Sequence, residues 1–402
     1  TNYSTFSLWD TFRAAHPLYT ILQPTRVNDM IKSMLQFYKQ HGKLPQWAFY
    51  GNETNCMIGY HAVPVIVDAF LKGIRNYNTD LAWEACYQTA MSDLGSLPVY
   101  RKYDYVPTNK AHGSVSKTLE YAFNDWCIAR FAEKTNKTIV ARIFYDRASN
   151  YRNTFDKSIG FMRGKTDQGE WVTPFEPLNY TKDFVESNGW HYLWFVPQNV
   201  HDLIDLIGGA DDFVAKLDSF FTIKPKDKDK LPIFSTGMIG QYVHGNEPSH
   251  HVAYLYNYAG QPWKTQEKVR QIMKTKYKNS PDGLAGNEDC GQIASWYVFS
   301  ALGFYPVNPA SGKYIIGSPI VDEATLKLTG QKTFRIIAEN NSPQNIYIQK
   351  VTLNGSPLER SYIKHQEIMK GGTLKFFMGA KPNKNWATAK ENSPASKMSL
   401  TE

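Results

Sequence analysis

From residue 4 to about residue 302, apolar residues in this 402-residue chain recur every three to four positions and almost nowhere every second one. That period places them on one face of successive α-helices and excludes strands as the main element. Val27, Met30, Ile31, Met34, Leu35 and Tyr38 form one such stripe, which Gly42 and Pro45 bring to an end. Leu119, Ala122, Trp126 and Ala129 form another within 115–132, where Ser114 or Ser116 is placed to cap the start. Segments 6–15, 62–74, 81–91, 138–151, 183–195, 200–221, 250–258, 265–277 and 288–302 read the same way, giving about eleven helices. No fixed sequence period supports a solenoid, so the reading is a closed toroid of helical hairpins.

The texture changes after Pro306. Segments 314–316, 325–328, 333–338, 347–353 and 373–377 read as short strands, with Asn354-Gly355 and Gly371-Gly372 as turns. The expected fold is mainly α. An (α/α)6 barrel over 1–305, lacking its first helix, precedes a β-rich segment over 306–380 that completes a sheet with absent residues. A polar tail over 381–402 is expected to be poorly ordered. A bulky, patterned start at residue 1 suggests a cut within a larger protein.

Composition narrows the function classes. No run of about eighteen apolar residues exists to span a membrane, and residues 1–9 lack the pattern of a signal peptide. The formal charge is +8, but its densest stretch, KPKDKDK at 224–230, alternates lysine with aspartate as a solvated loop does, so no nucleic-acid partner is expected. Cys56, Cys86, Cys127 and Cys290 lie far apart without metal-type spacing and read as buried free thiols. Aromatic residues reach 14 %, with 25 Tyr and 10 Trp. Flat rings with polar edges suit sugar clefts, although a large aromatic core accounts for them equally.

Six strings mix carboxylates, amides, aromatics and Gly or Pro: TFSLWDTFRAAHPL (5–18), GNETNCMIGYHAVP (51–64), SKTLEYAFNDW (116–126), FVESNGWHYLWFVP (184–197), GNEPSHH (245–251) and GNEDCGQIASWYVFSALGFYPVNPASG (286–312). Helix capping accounts for any one of them. Six on one helical chain point to a site, because polar groups beside Trp and Tyr are costly in a core unless paired.

In this order the strings resemble glycoside hydrolase family 92, a family of exo-α-mannosidases, from about residue 3 to residue 320. The resemblance implies an N-terminal β-sandwich followed by an (α/α)6 barrel, of which this chain corresponds to the barrel. The sandwich of the same protein and a mannose-containing glycan are then the expected partners. A periplasmic, secreted or cell-surface location is implied as well.

Glycoside hydrolysis needs a protonated carboxyl at the leaving oxygen and a second carboxylate acting on water or sugar. Glu186 lies among Trp190, Tyr192 and Trp194, an apolar wall that would raise its pKa, and it matches the family's catalytic acid. Asp289 follows Gly286, Asn287 and Glu288 in a turn whose N–H groups would keep it ionised, and it matches the favoured base. The family carries an acid where this chain has Asn287, and neighbouring Glu288 stays open as an alternative. A cis pair of mannose hydroxyls can chelate Ca2+, which takes six to eight oxygen ligands. The resemblance implies Ca2+ held by Asn246 and Glu247, with Asp289 reaching it through water. Adjacent His250 and His251, with no HExxH spacing, make Zn2+ the poorer fit. Trp9 and Asp10 are expected to line the terminal-sugar pocket, with Glu53, His61, Glu120, Trp190, Asn287 and Glu288 as further substrate contacts. Arg13, one turn beyond Asp10, can pair with it.

Another toroidal glucosidase or phosphorylase without Ca2+, or a glycan-binding module without catalysis, are the rival readings. Retention of both Glu186 and Asp289 argues against the latter. Some α-1,2-acting relatives carry His where this chain has Asn246, which weakens an α-1,2 assignment.

Overall fold

The computed structural model describes residues 1–226 and 231–401. Residues 227–230, the end of the expected charged loop, lie outside the described residues. The chain forms a helical barrel followed by a β segment. Among the described residues no helix is long and apolar enough to cross a membrane.

Where the apolar period is strong, the helices stand. Pro24–His41 buries Val27, Ile31, Met34 and Leu35 and opens on a proline whose missing N–H has no partner to lose. Ala62–Leu71 and Ser114–Lys134 are buried along almost their whole length. Thr79–Met91 is capped by Asn78, whose side chain accepts from the Leu81 N–H at 2.9 Å. The start of Ser114–Lys134 is not capped by a serine. Ser114 instead donates to Asp183 at 2.7 Å, and Ser116 accepts from the Val185 N–H at 2.9 Å. Both serines therefore fasten this helix to the loop that carries Glu186.

Other expected helices break for identifiable reasons. Segment 200–221 splits into Val200–Ile207 and Ala210–Phe220 because Gly208 and Gly209, at φ 125° and 108°, leave helical space. Segment 183–195 keeps only Gly189–Tyr192, which Asn188 caps, and 250–258 becomes the 3-10 stretch Val252–Asn257. The expected helix at 288–302 begins at Gln292. Among the described residues three α-helices escaped the reading, Ala15–Leu22, Leu97–Tyr103 and His365–Met369, along with short hairpins such as Met238–Ile239 with Tyr242–Val243.

The β segment contains a five-stranded sheet in the spatial order Glu323–Lys327, Thr333–Glu339, Gly372–Gly379, Tyr347–Leu353, Ser356–Pro357. Thr333–Glu339 and Gly372–Gly379 run parallel, and the other pairs are antiparallel. Alternate residues Phe334, Ile336 and Ala338, with Leu374, Phe376 and Met378, face the core. The sheet docks on helix Pro262–Lys276, where Gln266 accepts from the Ile348 N–H at 2.9 Å and Tyr347 donates to Glu267 at 2.6 Å.

Residues beyond 380 return to the barrel, contrary to the expected disorder. Trp386 is buried and donates to the Leu358 carbonyl at 2.9 Å, while Trp126 donates to the Lys397 carbonyl at 2.8 Å. All four cysteines are free as expected, but only Cys86 and Cys127 are buried; Cys56 and Cys290 are exposed.

Candidate active site

Four segments converge: the short helix Leu8–Thr11, the loop at 183–188, the turn at 244–247 and the turn at 286–291. Asp10, Glu247 and Asp289 meet there with carboxylate oxygens within 4.8 Å of one another. Each comes from a different segment, and close packing of backbone holds the turns at 244–247 and 286–291 together. A side chain at Gly245 or Gly286 would strike the Thr236 hydroxyl. Asn246 accepts from the Glu247 N–H at 3.2 Å and donates to the Glu186 carbonyl at 3.1 Å.

Three carboxylates this close repel, and burial sharpens the cost. Burial pushes Asp10 up to about 7; the Ser7 hydroxyl, which donates to it, and Arg13 pull down, while the charges of Asp289 and Glu186 push up. Glu247 is raised well above the usual carboxylate range, first by burial, then by Asp10 and Asp289. Its Oε1 is buried without a hydrogen-bond partner. Such a set is stable when protonated or when it holds a cation, and an all-oxygen donor set fits a hard cation such as Ca2+. The histidines turn away from the cluster: His250 meets the His244 carbonyl and Gln292, and His251 meets the Trp194 carbonyl.

Glu186 and Asp289 share an uncommon backbone conformation, with φ 49° and 53°. Left-handed non-glycine residues carry strain and concentrate at functional sites. Both carboxyls are half-buried. Burial raises Glu186, a hydrogen bond with Asn246 opposes this, and the charge of Asp289 adds to the rise. The three expected aromatic residues have other contacts of their own. Tyr192 donates to Glu120 at 2.8 Å, Trp194 packs edge-on against Phe213 and Phe220, and Trp190 packs edge-on against Phe161. Asp289 is also raised by burial, with a hydrogen bond to Glu247 opposing and Glu288 adding. The N–H groups of Gly291 and Ala294, at the start of helix Gln292–Leu302, bond to Glu288 at 2.6 and 3.0 Å rather than to Asp289.

The remaining expected residues separate by depth. Trp9 and Glu120 are fully buried: the indole donates to Glu120 at 3.0 Å, His61 lies 2.8 Å from its other oxygen, and Arg13 stands 3.7 Å away. Arg13 thus faces Glu120, and its Nε donates to the Trp9 carbonyl at 2.9 Å. Burial lowers the pKa of His61, whose ring stacks on Phe12 at 4.2 Å. Glu53 accepts from the N–H groups of Gln46, Trp47 and Asn55 at 2.7–3.1 Å and so shapes its own hairpin. Asn287 is exposed at the rim. Sequence reasoning placed Asp10 with the sugar and Asn246 with the metal, whereas the acidic cluster contains Asp10. It read Cys56 and Cys290 only as core thiols, whereas both are exposed and raised, first by partial burial and then by the charges of Asp10 and Glu186 at Cys56 and of Asp10 and Asp289 at Cys290. Their places inside ETNC and EDC were the available signal.

A helical barrel with strained carboxyls, raised by burial, beside an acidic cradle has the makings of a glycoside hydrolase. Residues 1–380 match the glycosyl hydrolase family 92 catalytic domain, and the chain belongs to that family. A family 92 α-mannosidase from Bacteroides thetaiotaomicron is 44 % identical, with a TM-score of 0.95 over 98 % of this chain and 53 % of its own. An inverting family 92 mannosidase from the same organism is 38 % identical, with a TM-score of 0.90 over 97 % of this chain and 55 % of its own. A protein of Arthroderma benhamiae described as an uncharacterized secreted glycosidase is 28 % identical over 96 % of this chain and 53 % of its own length. The chain spans about half the length of these relatives.

Proposed function

We propose that the protein is a secreted, exo-acting α-mannosidase that inverts the anomeric centre and uses Ca2+. The observation that carries this reading is the pair Glu186 and Asp289, both left-handed and both raised, with Asp289 also a member of the Asp10–Glu247–Asp289 cluster. Glu186, raised by burial, donates to the departing glycosidic oxygen. Asp289 accepts a proton from the attacking water, and in an inverting enzyme the two carboxyls stand roughly 6.5–9.5 Å apart to admit that water. Asp10, Glu247 and Asp289 would hold Ca2+, with Asn246 bracing the turn. When bound, the cation would polarise the vicinal hydroxyls of a manno-configured sugar and offset the mutual repulsion of its ligands. Trp9, His61 and Glu120 act from behind as a buried frame for Asp10. The β-sandwich of the same protein stays part of this reading, as does the secreted location.

Leaving-group dependence tests the two roles. Glu186→Gln should slow natural mannobiosides at least a hundredfold while sparing an activated aryl mannoside, which needs little protonation. Asp289→Asn should depress both substrates similarly. Equal losses on both substrates with Glu186→Gln would remove it as the acid.

A further inference from the structure

Helix Ala62–Leu71 links the active-site end of the barrel to a different feature at its far end. His61 precedes the helix and Lys72 follows it, so the two are separated by roughly 15 Å of helix. Beside Lys72 opens a cavity of about 270 Å3, lined by Lys72, Arg130, Lys134, Lys313 and Lys364, with Ser311 at its wall. Cations outnumber their partners there. Lys72 is neutralised by Asp68 at 2.7 Å. Arg130 meets Glu133 only at 3.8 Å, and Glu133 already takes Lys397 at 2.7 Å and the Tyr145 hydroxyl at 2.7 Å. The Arg130 Nε is buried with no hydrogen-bond partner. Lys313 donates to the Ala395 carbonyl and lies 4.9 Å above the Tyr362 ring, without a carboxylate. Lys134 and Lys364 have no ion-pair partner among the described residues, and nearby Glu367 is clamped by two 2.6 Å contacts from Arg360. Burial, then the charges of Lys364, Arg130 and Arg360, push Lys313 down to about 8.

Like charges gathered around a concavity are costly until an anion enters, and a mixed set of ammonium and guanidinium groups suits an oxygen-rich one. We infer that this basic pocket binds a tetrahedral oxoanion, phosphate or sulfate in kind, either free or carried on a sugar. The cavity holds one such group with an attached ring, not a polymer. The inference is independent of the catalytic reading, because none of these residues belongs to the active-site loops.

The test is a binding titration of the protein at fixed ionic strength, with chloride as the reference salt. One arm uses inorganic phosphate and the other mannose 6-phosphate. Each is repeated on Lys313→Gln and on the exposed pair Lys134→Gln with Lys364→Gln, chosen to leave the fold intact. At least one arm should saturate, the tighter arm naming the source, and both variants should weaken it at least tenfold. Failure of both ligands to saturate, or undiminished binding in the folded surface-pair variant, would overturn the site.

Discussion

The side-chain amide of Asn246 donates to the backbone carbonyl of Glu186 at 3.1 Å. This bond ties the turn of the acidic cluster to the loop of the proposed acid, and it meets Glu186 where its backbone is left-handed. Asn246→Ala should therefore cost about 1 kcal/mol of stability and lower kcat more than it raises KM, because the acid loses its placement while the sugar pocket remains. Thermal unfolding together with steady-state kinetics checks this. A pure KM effect would place Asn246 on the substrate instead.

Cation binding should be linked to protons. Without a cation, burial and repulsion hold Asp10 near 7 and raise Glu247 well above the carboxylate range, while burial also raises Asp289, so Asp10 and Glu247 retain protons near neutral pH. Ca2+ must displace them. Affinity should fall as pH drops from 8 to 6, and calorimetry in buffers of different ionisation enthalpy should report proton release. Ca2+ should also raise the melting temperature. Affinity that is flat across this range would contradict the assignment of these three ligands.

Stability should fall in acid through buried histidines. Burial lowers His16 and His251 to about 4 and His191 and His250 to about 3, against an ordinary value of 6.5. A depressed folded pKa means the unfolded chain takes up these protons first, so this stability is present above 6.5 and lost as pH falls through the folded values. Asp10, Asp68, Asp125, Glu186, Glu247 and Asp289, all raised by burial, act in the opposite direction. With His61, His201, His244 and His365 also lowered by burial, the histidines outnumber them, and the loss between pH 6.5 and 4 should reach about 2 kcal/mol. Denaturant titrations across that window should show the folded state weakening steadily; a constant midpoint would contradict it.

Helices such as Pro24–His41 and Ser114–Lys134 were legible because one apolar face repeats over many turns. The loops around Glu186 and Asp289 were legible as clusters of polar residues but not as geometry. Nothing local to residues 10, 247 and 289 says that tertiary packing brings them within 4.8 Å. The same limit holds near Glu186: Tyr192 and Trp194, close in sequence, bond to Glu120 and pack on Phe213, contacts that no local pattern announces. Sequence proximity also assigned to Asp289 amides that Glu288 takes. Beyond residue 380 the chain lacks periodicity, and it is held by side chains such as Trp386 that no pattern announces.

The central claim is that Glu186 and Asp289 act from opposite sides of one glycosidic bond. Proton NMR during hydrolysis of an aryl α-mannoside, with Ca2+ present, reads this directly from the anomer released first. Attack by water that Asp289 activates predicts β-mannose first, with the α anomer growing in only through mutarotation. Appearance of α-mannose first would contradict the account and make the second carboxylate a nucleophile.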